Sequence, residues 1–289
     1  MTDAAPEPVV LETVAALRAW RAARRAAGHR VGLVPTMGAL HAGHLSLVTG
    51  LAPETEAVVV SIFVNPTQFA PHEDFTKYPR TFDRDLELLR EVGAAAVFAP
   101  TVAEMYPDGF ATSITLDGPA RVGLEDAFRP THFAGVATVV AKLLLQCLPE
   151  RAIFGEKDYQ QLAVIRRMAR DLDIPVTILG GPTIREADGL AMSSRNVYLS
   201  PSERETAPVL HQVLQAAAAA VRTGTSIALA EGAALRELSD HGFLVDYVAI
   251  RDAASLAVPA PDARPETLRV LVAARLGQTR LIDNIAVVG

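Results

Sequence analysis

Residues 57 to 64 read Ala-Val-Val-Val-Ser-Ile-Phe-Val and stop abruptly at Asn65-Pro66. A run this nearly continuous in apolar residues suits a strand buried on both faces, and such strands belong to parallel sheets with helices on either side. The surrounding sequence keeps the rhythm that architecture needs. Apolar periodicity places strands at 31–35, 57–64, 95–99, 151–155 and 175–180, and helices at about 12–27, 43–52, 82–92, 133–147 and 158–172. After Asp188-Gly189 the alternation stops: helices near 201–222 and 226–240 precede strands near 244–250, 268–275 and 280–288. That order points to a small antiparallel sheet, so the expected fold is α/β with a parallel sheet in residues 1–184, followed by a smaller α+β domain in residues 185–289.

Composition narrows the function. At 289 residues, half of them hydrophobic, the chain is long enough for two ordinary domains. A net charge of -6 argues against a nucleic-acid partner, because a surface that neutralises many phosphates is normally basic. No run approaches ~18 uninterrupted apolar residues, so no membrane span is expected. The single cysteine, Cys147, excludes an internal disulfide, fits a reducing, cytoplasmic setting and reads as a small buried hydrophobe. The stretch from Leu11 to Ala27 has the alanine and arginine content of a transit peptide. Against that, Asp3, Glu7 and Glu12 are acidic, and Leu11, Val14, Leu17 and Trp20 recur at helical spacing before Gly28, so a packing helix is the simpler reading.

Four segments carry polar groups that a plain fold does not require. The first, Pro35-Thr-Met-Gly-Ala-Leu-His-Ala-Gly-His44, follows the apolar run Val31-Gly-Leu-Val34 and enters a helix. His41 and His44 share one side of that helix's opening turn. Backbone N–H groups and the positive dipole end there favour an anion, and Gly43 allows close approach. A bare His-x-x-His also fits a metal pair or two surface histidines. Zinc needs a third ligand, and His29, His72, His132, His211 and His241 form no second paired motif. The second segment, Asn65-Pro-Thr-Gln68, offers amide donors and acceptors to a polar ligand, or is a plain turn. Residues 70–81, rich in proline and charge, have the composition of a lid.

The third segment, Phe154-Gly-Glu-Lys-Asp-Tyr-Gln-Gln161, again lies where a strand enters a helix. Of 27 basic residues only Lys77, Lys142 and Lys157 are lysine, so Lys157 beside Gly155 stands out as a phosphate contact, with Gln161 one turn on. The alternative makes Glu156 and Asp158 helix-start acids and Lys157 a solvated side chain. The fourth segment, Arg185-Glu-Ala-Asp-Gly-Leu-Ala-Met-Ser-Ser-Arg-Asn196, falls at the domain junction. Ser193, Ser194 and Arg195 combine hydroxyl donors with a guanidinium, as a polyphosphate clamp requires; a serine that only caps a helix fits as well. Neither G-x-x-x-x-G-K-[ST] nor G-x-S-x-G occurs. Ligands of open α/β sheets bind beyond the carboxyl ends of the strands, so 35–44, 65–69 and 155–161 are expected to converge.

Together, Val34 to His44, Ser61 to Phe69, Phe154 to Leu162 and Asp188 to Asn196 closely resemble the pantothenate synthetase family, the pantoate–β-alanine ligases, and the likeness runs nearly end to end. That family belongs to the nucleotidyltransferase superfamily of the class I aminoacyl-tRNA synthetases, with its His-x-Gly-His and Lys-Met-Ser-Lys-Ser type motifs. The second motif departs here: Ala191 stands at its first lysine, and Ser194-Arg195 replaces its closing Lys-Ser. The resemblance implies a Rossmann-like nucleotide- and pantoate-binding first domain. It also implies ATP with Mg2+ on its phosphates, and a pantoyl adenylate that β-alanine converts to pantothenate, with AMP and pyrophosphate released.

By the same match, Met37, Gly38, His41, Gly43, His44, Gly155, Glu156, Lys157, Asp158, Ile184, Met192, Ser193, Ser194 and Arg195 are implied as ATP contacts. His41, His44, Lys157 and Arg195 are the implied catalytic groups, and Gln68, Gln161 and Asn65 the implied contacts to pantoate and β-alanine. Tyr78, Asp85 and Arg129 are further candidates for the closing loop, the metal and the later phosphates; no metal ligand is assigned. A homodimer is expected by analogy. Two rivals are a nucleotidyltransferase of the same fold acting on another small substrate, and a non-catalytic ATP-binding module.

Overall fold

The computed structural model describes residues 6–70 and 73–287. Asp3, Pro71, His72 and the last residue of the strand expected at 280–288 lie outside the described residues. In chain order the elements are β1 (Val9–Leu11), α1 (Val14–Ala26), β2 (Val31–Thr36), α2 (Ala42–Leu51), β3 (Ala57–Ile62), α3 (Phe82–Glu91), β4 (Ala96–Phe98) and α4 (Val102–Met105). There follow α5 (Glu125–Phe128), α6 (His132–Cys147), β5 (Arg151–Gly155), α7 (Tyr159–Asp171), β6 (Thr177–Gly181), α8 (Pro201–Thr206), α9 (Val209–Arg222), α10 (Ile227–Asp240), β7 (Leu244–Asp252), β8 (Leu268–Leu276) and β9 (Thr279–Ala286). The chain forms two compact units. One holds the chain up to Leu116 with Thr131–Glu156 and Val164–Pro182; the other holds Asp117–Pro130, Lys157–Ala163 and the chain from Thr183 on.

The first unit is built on a six-stranded parallel sheet in the order β1-β4-β3-β2-β5-β6. The apolar run from Ala57 is β3, with Ala57 to Ser61 all buried. It pairs in register with β2, Val31 against Ala57 and Val34 against Val60. Leu47, Val48 and Leu51 of α2 pack with Val34, Val58, Val60, Val97 and Ile153, and each such side chain contributes roughly 1.5–3 kcal/mol by burial. From β2 the chain winds out through β3 and β4, then resumes on the other side with β5 and β6. The reversal lies between β2 and β5, and the carboxyl ends of strands at such a switch point form the binding crevice of open α/β sheets.

Two local readings change. Leu11 belongs to β1, which pairs with β4 at the sheet edge, and α1 starts only after Thr13, whose hydroxyl accepts from the Ala16 N–H at 3.1 Å. The single helix expected at 201–222 is two, α8 and α9, because Pro208 brings no N–H to a continuous ladder. Leu17 and Trp20 are buried, as a packing helix requires.

The second unit carries the antiparallel sheet β7-β8-β9. Leu210, Val213, Leu214 and Val221 of α9 and Ala234 and Leu238 of α10 pack with Ile250, Val270, Val272 and Leu281. Segments 117–130 and 157–163 belong here because Val122, Leu124, Tyr159 and Ala163 pack with Ala249, Leu256 and Leu271. Arg280 holds the first of them, donating to both Glu125 oxygens at 2.7 and 2.8 Å and to Asp246 at 2.7 Å. Burial alone raises the Glu125 carboxyl, but the Arg280 bonds outweigh it and keep it below the usual carboxylate range. Among the described residues no helix is long and apolar enough to cross a membrane.

Candidate active site

The segment after β2 is organised by the chain itself. Thr36 donates to the Ser61 carbonyl at 2.7 Å and accepts from the Gly38 N–H at 3.2 Å. His41 is the N-cap of α2: its Nδ1 accepts from the Gly43 N–H at 3.1 Å, while the His41 N–H reaches the His44 Nδ1 at 3.4 Å. The two rings stack with centroids 4.1 Å apart. A neutral imidazole whose Nδ1 accepts carries its proton on Nε2. Capping the helix therefore makes both histidines Nε2–H donors, which is the form an anionic ligand needs.

After β3, Asn65 is 1% exposed. Its Oδ1 accepts from the Tyr106 hydroxyl at 2.8 Å, the Thr67 hydroxyl at 3.0 Å and the Thr67 N–H at 3.4 Å, and its Nδ2 donates to Gln68 Oε1 at 3.2 Å and the Gly135 carbonyl at 3.3 Å. The plain-turn reading accounts for part of this, since Asn65 caps the short 3-10 turn Pro66–Gln68. The bond to Gln68 Oε1 fixes that amide, so its Nε2 is turned to Met37 Sδ, 3.1 Å away. Segments 35–44 and 65–69 thus meet directly. His132 adds a contact to the Gln68 carbonyl at 3.0 Å.

After β5, a Cβ on Gly155 would meet no atom within 4 Å, so packing among the described residues does not require glycine there. Met37, Gly38, His41, Gly43, His44, Asn65, Gln68, Gly155 and Glu156 all lie at or just past the carboxyl ends of β2, β3 and β5 in one unit. Tyr78, from the described part of the expected lid, is 5% exposed and its ring lies 6.1 Å from that of Phe69. Cys147 is buried in α6, which pushes its thiol up to about 12, the behaviour of an inert core residue.

The second unit holds the remaining candidates. Lys157 and Asp158 end a 3-10 turn before α7, and the Lys157 side chain is 19% exposed, with Nζ 4.0 Å from Asp158. That is not a fully solvated lysine. The Asn284 amide holds the Lys157 carbonyl at 2.8 Å. Gln161 is partly exposed, whereas neighbouring Gln160 is buried and bonded to Glu125, Pro119 and Asp126. Residues 184–192 form a tight antiparallel turn, with the Met192 N–H on the Ile184 carbonyl at 2.9 Å and Arg185 bridged to Ala191. Ser193 caps the 3-10 turn Ser194–Tyr198, accepting from the Arg195 N–H at 3.2 Å, so the capping reading is also met. Arg129 lies 3.8 Å from Glu125.

Sequence reasoning missed two neighbours in β9, Asp283 and Asn284, both 3% exposed. Asp283 takes the Arg185 guanidinium at 2.6 and 2.9 Å, and Asn284 holds Lys157. The available signal was Asp283-Asn284, two consecutive polar residues of which one must point to the covered face of the strand expected at 280–288. Among the described residues no group of three or more His, Cys, Asp or Glu side chains is arranged to hold a metal.

Comparison with known proteins agrees with this geometry. The profile of the pantoate-beta-alanine ligase family matches residues 9–286. A pantothenate synthetase of Paramagnetospirillum magneticum is 58% identical over 279 residues, covering 96% of this chain and 97% of the relative. The crystal structure of the pantothenate synthetase of Thermus thermophilus superposes with a TM-score of 0.90 at 50% identity, covering 97% of this chain and 100% of the other. The pantoate-beta-alanine ligase of Francisella tularensis, solved with beta-gamma ATP and beta-alanine, gives a TM-score of 0.80 at 31% identity, covering 98% and 99%. With the family profile spanning residues 9–286 and relatives matched over nearly the whole length, this chain belongs to the pantoate-beta-alanine ligase family.

Proposed function

We propose that this chain condenses pantoate with β-alanine at the expense of ATP, as an AMP-forming carbon–nitrogen ligase. The observation that carries the reading is the pairing of His41 and His44, whose Nδ1 atoms accept backbone N–H groups at the start of α2, just past the β2 end of the switch point. The pantoate carboxylate attacks the α-phosphorus in line, forming an acyl–O–P bond as pyrophosphate leaves. The β-alanine amine then attacks the acyl carbon, forming the amide, giving up a proton and releasing AMP. No protein nucleophile is needed; positioning and charge stabilisation supply the catalysis.

In this reading His41, His44, Lys157 and Arg195 act on the phosphates, helped by Gly43, the Ser193 and Ser194 hydroxyls and the backbone around Met37, Gly38, Gly155, Glu156, Asp158 and Met192, with the Ile184 backbone at the adenine. Gln68 and Gln161 take the pantoate. Asn65 enters through Gln68, whose amide it orients, because its own polar atoms are already engaged inside the protein. Mg2+ bound to the phosphates would neutralise charge there, and the nucleotide and water would supply most of its ligands, since the described residues form no acidic cluster for it. A cytoplasmic homodimer completes the proposal. Incubation with ATP, pantoate and β-alanine tests it: pantothenate, AMP and pyrophosphate should form only when all three are present. Amide-free release of AMP would favour a nucleotidyltransferase of other specificity, and tight ATP binding without turnover a binding module.

A further inference from the structure

The chain from Gly38 to Leu40, which delivers His41 to its capping position, adopts a conformation that needs an external hold. Gly38 has φ +82° and Ala39, not a glycine, has φ +51°. A side chain in that left-handed region is strained and persists only where surrounding contacts over-determine it. Packing on one flank is thin: a cavity of about 310 Å³ borders the stretch, lined by Met37, Gly38, Ile62, Phe75 and Thr101 among others. What grips the stretch is Asp85, on the first turn of α3 and 1% exposed. Its Oδ2 accepts the Ala39 N–H at 2.9 Å and its Oδ1 the Leu40 N–H at 2.9 Å, and the Thr81 hydroxyl donates to Oδ1 at 3.1 Å. A Cβ on Gly38 would stand 3.1 Å from Asp85 Oδ2, so the carboxylate is fitted closely against the loop.

We infer that Asp85 is the positioning residue of the histidine loop, setting where His41 and His44 stand by holding two consecutive backbone N–H groups, and that it is not a metal ligand. The inference rests on the reading that residues 37–44 hold the nucleotide. Oδ1 takes two of these bonds and Oδ2 one, so the carboxylate already holds three donors from the protein and keeps a single acceptor site on Oδ2, less than a hard cation draws from a dedicated ligand.

The test compares D85N, D85E and T81A in the full-length chain, using pantoate-dependent exchange of labelled pyrophosphate into ATP. D85N places an NH2 group against a backbone N–H, so the exchange kcat should fall roughly 10²-fold, as expected when reacting groups are misplaced by about 1 Å. KM for pantoate should stay within about threefold, because on this inference Asp85 acts on the loop and not on the substrate. Hydrogen exchange in the 37–44 peptide should accelerate while β3 and the β7-β8-β9 sheet keep their protection. T81A, which leaves both N–H bonds in place, should stay near wild type, and D85E, which keeps the carboxylate, should recover part of the loss. Wild-type kcat in folded D85N would overturn the inference, as would recovery of full rate at raised Mg2+, which is the signature of a lost metal contact. If D85N does not fold, D85E decides alone: folded, it should run about tenfold below wild type with faster exchange in 37–44, and wild-type behaviour would overturn the inference. Absence of exchange activity in the wild-type chain would be a failure of the functional reading instead, and the amide protection of residues 39–40 in D85N would still decide whether Asp85 is the anchor.

Discussion

Replacing Asp283 with asparagine removes one charge and almost no volume, and so isolates what this buried carboxylate does. Arg185 donates to Oδ2 at 2.6 Å and to Oδ1 at 2.9 Å, the Asn284 N–H donates to Oδ1 at 2.7 Å, and the His211 Nδ1 lies 3.6 Å from Oδ2. An asparagine oxygen at the Oδ1 position keeps two of these bonds, but its NH2 then faces the Arg185 donor across 2.6 Å. Removing one partner of a buried pair costs about 3–5 kcal/mol. With one Arg185 bond retained, D283N should lie nearer 2–3 kcal/mol, roughly the cost of one unmade charged hydrogen bond. The loss is local: Arg185 also donates to the Gly189 carbonyl at 3.1 Å, so the freed guanidinium loosens the turn 184–192 that leads into Ser193–Arg195. Adenylate formation should slow by roughly 10²-fold. Urea unfolding followed by circular dichroism gives the stability term, because the only tryptophan, Trp20, lies in the other unit and its fluorescence would not report this sheet. An unchanged midpoint together with an unchanged exchange rate would refute the assignment of Asp283 as the anchor of this turn.

Three further outcomes follow from the same geometry. H44A and K157A should each lower kcat by about 10²–10³-fold with the fold retained, since each removes a preorganised donor to developing phosphate charge; near-normal rates in both would remove them from the mechanism. N65D keeps the shape of Asn65 but turns its donor into an acceptor facing Gln68 Oε1, so the Gln68 amide must turn over and its Nε2 leaves Met37. Pantoate KM should rise about tenfold or more while ATP KM holds, and an unchanged pantoate KM in the folded variant contradicts the relay. Burial raises the Asp283 carboxyl, but the His211 and Arg185 side chains outweigh it and hold it below the ordinary range. An unfolded aspartate takes up its proton near ~3.9 and the folded one only at lower pH, so the unfolded state binds more protons between the two. The stability it contributes is present above the unfolded value and disappears as pH falls through the folded one. Urea midpoints measured across that acid range should fall more steeply for the wild type than for D283N.

Most of the first unit was legible because its physics is local. The nearly continuous apolar run at 57–64 suits a strand buried on both faces, and the apolar residues after Gly43 marked the helix that His41 and His44 open. β1 was not legible: three residues, Val9–Leu11, have no period of their own and become a strand only by pairing with β4. The break in 201–222 lies at Pro208, which ends one helix and caps the next, and the apolar periodicity on both sides of it reads as one helix. Asp85 and Asp283 are the deeper case. Asp283 was an ordinary acidic residue in sequence, and Asp85 a candidate for the closing loop or the metal through the resemblance alone; the hold that each exerts comes from partners 98 and 45 or 46 positions away. Gly155 is the converse, a glycine whose need no neighbouring atom of the described residues explains.

The proposed chemistry stands on one event, attack of a carboxylate oxygen on the innermost phosphorus of ATP at the β2 and β5 strand ends. Pantoate carrying heavy oxygen in its carboxylate tests that directly, with β-alanine present and the products weighed by mass spectrometry. One labelled oxygen should appear in AMP and none in pyrophosphate. Unlabelled AMP, or label in inorganic phosphate, would contradict it.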